Sequence, residues 1–176
     1  QKFATISTIS RYLANRLISK GSVGFKTISD LNGKKIGTTR GSNTEYFTEA
    51  LMKKAGIKAE VLNVSPPDIV PALARGDIDA GVMFPDFYAS AKKALGSDYR
   101  EYKSDAYVAQ FVLSASPEML SKRPKEVQGF LKALIKAEKF IKANSTEAQK
   151  IYSKATGGRV TFEMAKARWS EADYAI

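Results

Sequence analysis

The chain has 176 residues, 44% of them hydrophobic and 26% charged, with no Cys and no His. Such a length supports one domain or two small lobes that bury about 70% of the unfolded surface, and such a composition belongs to globular proteins rather than disordered chains. Without thiol or imidazole there are no Cys or His nucleophiles, no Ser-His-Asp triad, no zinc site and no haem ligation; only oxygen-ligated metals stay open, and neither a metal nor a cofactor is expected.

The formal charge is +10, but the 28 basic residues are spread from Lys2 to Arg168. The densest set, Lys132, Lys136, Lys139 and Lys142, repeats at helical spacing opposite apolar positions, as a solvated helix face does. Nucleic acid is therefore not an expected partner, whereas attraction to small anions or a membrane surface stays open. No apolar run approaches the roughly 20 residues of a membrane span. The start at Gln1-Lys2-Phe3, with no Met and no apolar leader, is expected of a processed or truncated product. An absence of cysteine fits passage into an oxidising compartment.

In chain order, Phe3 to Ile9 alternates apolar and hydroxyl residues and predicts a strand. Thr5 and Ser7 on its polar side either line a cleft or face solvent. The apolar segment from Tyr12 to Ile18 reads as a further strand before the loop Ser19 to Gly24, and Ile28 to Gly33 is a compact turn. Lys35 to Thr39 is a strand, followed by a small polar turn, Arg40-Gly41-Ser42, and a helix from Asn43 to Ala55 whose apolar face is Tyr46, Phe47, Ala50, Leu51 and Ala55. Gly56 stands where a helix C-cap belongs. Ser42 stands at the N-cap: its hydroxyl is expected to take the Glu45 amide while the Glu45 carboxylate returns to the Ser42 amide. The same turn is either a structural cap or, through the spare amides of the helix end, an anion site.

Ala59 to Val64 gives a second strand, hence a parallel β-α-β unit. Asp68 is expected to cap the next helix, which places Pro71 in its first turn, where a missing N–H is tolerated. Ile78 to Phe84 is a third strand stopped by Pro85; Asp86 is expected to cap a helix over Phe87 to Leu95 closed by Gly96, and Tyr99 to Tyr102 is a fourth strand. Residues 35–103 then form a three-layer α/β lobe. Ligands collect at the carboxyl ends of such strands, which singles out Arg40 to Thr44 and Phe84 to Phe87. Asp77 and Asp79 lie at the opposite end and are assigned to structure. Ala106 to Ser116 is a longer strand suited to crossing between lobes. Ser116 caps a short helix, with Pro117 and Glu118 in its first turn. A long amphipathic helix starts at Pro124 with Val127, Phe130, Leu131, Leu134, Ala137 and Ile141 on one stripe, and further helices start at Asn144 or Ser145 and at Thr161.

The run Ile28 to Gly37 followed by Gly41-Ser42-Asn43, then Ala72 to Ala80, then Phe84-Pro85, and the tail from Arg123 to Ile151 resemble the solute-binding proteins of nitrate, sulfonate and taurine ABC importers and their relatives that bind thiamine pyrimidine precursors. The resemblance implies an α/β fold of the type II periplasmic-binding-protein kind, with one complete three-layer lobe over residues 34–106 and an incomplete second lobe from residues 1–33 and 107–176. It places the ligand between the lobes. It implies that Arg40, Gly41, Ser42, Asn43 and Thr44 hold an anionic group, that Phe84 and Phe87 form an aromatic wall, that Asp86 meets an amine, and that Thr5 and Ser7 face the site from the other lobe. The implied protein is a non-enzymatic, extracytoplasmic binder of a sulfonate, taurine, nitrate or pyrimidine-like ligand that serves a membrane permease; the alternative is a sensing module of a signalling receptor. A thiamine-precursor enzyme of this fold that acts on its own histidine has no substrate in a chain without His. Because family members carry a fuller first lobe, a homodimer or swapped assembly is also expected.

Overall fold

The computed structural model describes residues 2–12 and 14–174. Its elements in chain order are strand β1 (Ala4–Tyr12), β2 (Arg16–Lys20), β3 (Lys35–Thr38), helix α1 (Asn43–Ala55), β4 (Glu60–Asn63), α2 (Ile69–Arg75), β5 (Ala80–Val82), α3 (Tyr88–Leu95), β6 (Tyr99–Lys103), β7 (Ala109–Ala115), α4 (Pro117–Lys122), α5 (Pro124–Ala143), α6 (Ser145–Ala155), α7 (Phe162–Arg168) and β8 (Ala172–Asp173). Two compact units result, one from residues 14–108 and the other from the two ends of the chain.

In the first unit the sheet order is β4-β3-β5-β2-β6. Strand β3 runs parallel to β4 and β5, whereas β2 runs antiparallel to β5 and to β6. The carboxyl ends of β3, β4, β5 and β6 therefore share one edge, and β2 begins there, with Arg16 opposite Lys103. Alternation along β2 sends Leu17 and Ile18 to opposite faces. Leu17 joins Ile36, Val82, Phe47 and Leu51 under α1, and Ile18 joins Ile69, Leu73, Met83, Tyr88 and Leu95 under α2 and α3. Helix α2 and the turn after it approach the sheet closely because the strands carry glycine at the contact: a Cβ on Gly81 would stand 2.7 Å from Ile69 Cγ2 of α2, and one on Gly37 would stand 2.6 Å from Ile78 Cδ1 of the turn.

Asp79 holds this sheet together, as its expected structural role requires. Its carboxylate accepts the Lys35 amide at 2.9 Å, and its carbonyl accepts the Ser19 hydroxyl at 2.7 Å. Of the run Tyr12 to Ile18, Leu13 lies outside the described residues, and the regular strand begins later, at Arg16. Residues 14–33 fall in this unit and not with the amino-terminal strand. Strand pairing with β5 and β6 decides that placement, and pairing partners that distant leave no local pattern in the sequence.

In the second unit the sheet order is β7-β1-β8, with β1 and β7 antiparallel from Ala4 opposite Ala115 to Tyr12 opposite Ala109. Register shifts interrupt the pair between Thr5 and Ser7 and between Thr8 and Ser10. The hydroxyls of Ser116 and Thr161 accept the Met119 and Met164 amides at 3.1 and 3.2 Å, so α4 and α7 start where expected. Helix α5 has no fully buried residue, and Phe130 on it is 53% exposed. A groove of about 460 Å³ runs beside it, lined by Phe3, Ile6, Leu113, Met119, Val127 and Phe130 among others. Among the described residues no helix is long and apolar enough to cross a membrane.

Candidate functional site

The sequence places glycine where the chain must turn sharply from β3 into α1: Gly41 adopts φ 70°, in the left-handed region that L side chains disfavour. Ser42, extended at φ −122° and ψ 170°, is then the N-cap of α1, as expected. The cap's wiring differs from the expected reciprocal box. The Ser42 hydroxyl accepts the Thr44 amide at 3.2 Å, one residue short of Glu45, and the Glu45 carboxylate accepts the Gly41 amide at 2.7 Å rather than that of Ser42. The reason lies in a hydroxyl chain. Thr38 Oγ1 donates to Thr44 Oγ1 at 3.0 Å, and Ser42 Oγ donates to the Thr39 carbonyl at 2.6 Å. Ser42 and Thr44 hydroxyls are 2.7 Å apart, and since the one Ser42 hydrogen goes to Thr39, Thr44 must be the donor between them. Ser42 is thereby held back toward the strand, out of reach of the Glu45 amide.

The neighbouring strand braces the same turn. The Arg40 amide donates to Asn63 Oδ1 at 3.0 Å, and Thr39 Oγ1 donates to the Val64 carbonyl at 3.1 Å. The Arg40 guanidinium is 65% exposed and sits 4.0 Å from the Glu45 carboxylate, too far for a tight pair. Arg40, Gly41, Ser42, Asn43 and Thr44 are thus one continuous turn, in which the side-chain hydroxyls of Ser42 and Thr44 are bonded within the turn and the donors left over are main-chain amides of the helix end and the exposed Arg40 head.

At the end of the adjacent parallel strand β5, Phe84 leads into a short 3-10 turn, Pro85–Phe87, closed by the Phe87 amide on the Phe84 carbonyl at 3.0 Å. Phe84 and Phe87 are half-buried and Asp86 is exposed. Helix α3 begins two residues later than Asp86, and no side chain caps it, so the expected capping role of Asp86 is not realised. Pro85 causes this: its fixed φ favours the tighter turn before the helix proper. Asp86 is left with a carboxylate turned to solvent at the strand-end edge. Thr5 and Ser7 belong to β1 in the other unit; Thr5 is exposed, and the Ser7 hydroxyl donates to the Thr8 carbonyl at 2.9 Å.

One group at this edge escapes the sequence reading. Arg16 opens β2, with its side chain 12% exposed and its guanidinium 4.9 Å above the centre of the Tyr88 ring. Its Nη1 donates to Glu101 at 3.4 Å, and its main-chain amide donates to the Tyr88 hydroxyl at 3.2 Å. Glu101 also accepts the Tyr99 hydroxyl at 2.8 Å. Burial, then that bond to a carboxylate, pushes the Tyr99 hydroxyl well above its ordinary value. Nearby, the buried Asn15 donates to the Tyr107 carbonyl at 3.1 Å, and the Tyr107 ring meets Tyr46 of α1 edge-on at 4.9 Å. Only a strand starting at the edge where its neighbours end makes Arg16 notable, and the sequence does not reveal that β2 runs against those neighbours.

Comparison with known proteins places this geometry in a family. The family model described as NMT1/THI5 like matches residues 2–148. The chain belongs to the NMT1/THI5-like family. Within reach of this family, the taurine-binding periplasmic protein of Escherichia coli (strain K12) is 34% identical over 138 residues, which is 72% of this chain and 42% of that protein. A binding protein of Brucella abortus (strain 2308) is 28% identical over 142 residues, 74% of this chain and 43% of its own length. Among solved structures, the periplasmic aliphatic sulphonate binding protein from Escherichia coli superposes with a TM-score of 0.80 at 18% identity, covering 98% of this chain and 60% of that one. The alkanesulfonate-binding protein from Xanthomonas axonopodis pv. citri bound to MOPS gives 0.70 at 16% identity, covering 94% and 60%. The structural likeness establishes the periplasmic-binding-protein fold that the sequence resemblance implies. This NMT1/THI5-like chain spans less than half the length of the curated relatives it matches. These relatives are named as binding proteins and not as enzymes, and nothing in them supports the expected homodimer.

Proposed function

We propose that the chain acts in an extracytoplasmic solute-binding protein that captures a small anionic or zwitterionic ligand, of the sulfonate, taurine, nitrate or pyrimidine class, and delivers it to an ABC permease. The observation that carries this reading is the Arg40 to Thr44 turn. Its hydroxyls are committed to the protein interior, so what it offers outward is a set of amide donors at the positive end of α1 together with an exposed guanidinium. Each amide-to-oxyanion bond contributes about 1.5–3 kcal/mol, enough for a few to hold a small ligand. Phe84 and Phe87 serve as apolar walls, and Asp86 suits an ammonium group, which favours taurine over nitrate. The taurine- and sulfonate-binding relatives support the same ligand class. None of the relatives described above is a signalling receptor, so the sensing alternative is not carried forward.

Isothermal titration with taurine, ethanesulfonate, nitrate and a hydroxymethylpyrimidine tests the reading. Binding of at least one, weakened about tenfold or more by Arg40→Gln and for taurine also by Asp86→Asn, is the expected result. Absence of heat with all of them overturns it.

A further inference from the structure

Strand β4 ends on Asn63, a residue type that strands disfavour, and it ends beside the turn of the candidate site. Strands β3 and β4 are parallel neighbours with Thr38 opposite Asn63, so Asn63 lies one strand spacing, about 4.8 Å, from the end of β3. The backbone there is pinned: the Val64 amide donates to the Thr38 carbonyl at 2.9 Å, and the Val64 carbonyl accepts the Thr39 hydroxyl at 3.1 Å. Leu62 and Val64, on either side of Asn63, pack on the core under α2 and α3. Alternation therefore turns the Asn63 side chain to the other face, which α1 covers. The Arg40 amide can only donate, so the atom it meets at 3.0 Å is the Asn63 oxygen, and the two hydrogens of Nδ2 are left over. Among the described residues Nδ2 has no partner, and the residue is exposed. Bracing the turn does not call for this chemistry. A carboxylate would accept the same amide more strongly and would add a charge opposite to the exposed guanidinium of Arg40. Asparagine braces the turn without bringing a negative charge to it and leaves two donors free.

We propose that Asn63 is a further oxyanion-contacting residue of this edge: its amide oxygen holds the Arg40 main chain while its Nδ2 donates to a charged oxygen of the ligand. This assignment deepens the solute-binding reading above and rests on it. It adds a side-chain donor from β4 to the main-chain amides of the α1 end and the Arg40 head. Because the oxygen is already committed, the amide cannot swing its acceptor toward an anion, and the group presents only donors.

The experiment is titration calorimetry with whichever of taurine, ethanesulfonate and nitrate the wild type binds, repeated on Asn63→Asp and Asn63→Ala. Each titration is run in about 0.1 M and about 1 M salt, between which the Debye length falls from about 10 to about 3 Å. Asn63→Asp keeps an acceptor for the Arg40 amide and replaces the donor by a carboxylate, whereas Asn63→Ala removes both. With Asn63 on the ligand, Asn63→Asp binds at least about tenfold more weakly than the wild type at both salt concentrations, and more weakly than Asn63→Ala. With Asn63 only bracing the turn, the order of the two variants inverts. In about 1 M salt, a loss in Asn63→Asp smaller than about tenfold, or no larger than that of Asn63→Ala, overturns the proposal; a loss that disappears with salt reports a distant charge and overturns it equally. A wild type that binds none of the probes above defeats the solute-binding reading itself. One that binds only the pyrimidine, or binds an anion with Asn63→Asp unaffected, defeats only the role of Asn63.

Discussion

The unit of residues 14–108 and the unit built from the chain ends differ in how they use apolar residues. The first places side chains of Leu17, Ile18, Phe47, Ile69 and Leu73 out of contact with water on both faces of one sheet. The second buries little more than Tyr12, Ala109, Ala148 and Ala165 among its apolar residues, while Phe3 is 61% exposed and Phe111, Phe130 and Ile151 stand out beside it. The amphipathic stripe on α5 is as regular as any in the chain, yet it covers no closed core. A helical stripe therefore reports only the wish to be covered; whether a face is covered depends on the rest of the fold, and the solved relatives carry more chain than this one. The difference also locates precision. Holding a ligand needs turns fixed to fractions of an ångström, and the candidate edge belongs to the unit with the closed core.

This contrast can be broken most directly in the two faces. Leu73→Ala, at a position with no exposed surface, should cost about 2–5 kcal/mol in urea unfolding, whereas Phe130→Ala should change stability by no more than about 0.5 kcal/mol. Equal losses would mean that α5 is covered in solution. Glycines sharpen the same point with a change of sign. Gly81→Ala must push Ile69 aside and should cost about 1–3 kcal/mol. Gly129→Ala, inside α5 with nothing within 4 Å of the new methyl, should stabilise by about 0.5–1 kcal/mol. A thermal melt of each variant reads both.

The smallest effect concerns acid. Amides of Thr27 and then Lys26 hold the Asp30 carboxyl below its ordinary value of 3.8. A carboxyl lowered in the folded state adds stability above its unfolded value and loses it as pH falls through the folded one. Asp30→Asn should thus lower stability slightly at pH 7, and the difference from wild type should shrink as pH falls below 3.8 and vanish only below the lowered folded value, which paired urea titrations at pH 7 and through the acid range measure.

Sequence made the local contacts of this molecule legible. Ser116-Pro117 and Thr161 announced the starts of α4 and α7 because a hydroxyl reaches an amide two or three residues on, with no help from elsewhere. Gly41 and Ser42 announced the turn at the candidate site for the same reason. What stayed hidden depends on distant partners. Glu45 was free to reach either of two amides, and the choice followed from Thr38 and Thr44, whose hydroxyls meet only when β3 and α1 are in place. Arg16 looked like one more basic residue until pairing with β5 and β6 set it at the edge where those strands end. Asp86 satisfied every compositional rule for a cap, and a 3-10 turn imposed by its neighbour removed it from the position.

The hydroxyl chain at the turn has a direction. It runs from Thr38 through Thr44 and Ser42 to the Thr39 carbonyl, so every proton in it points into the protein and the series ends on an acceptor that is already taken. Losing any one hydroxyl breaks the relay for the other two, so Thr38, Thr44 and Ser42 hold the turn as a unit and not as three separate bonds.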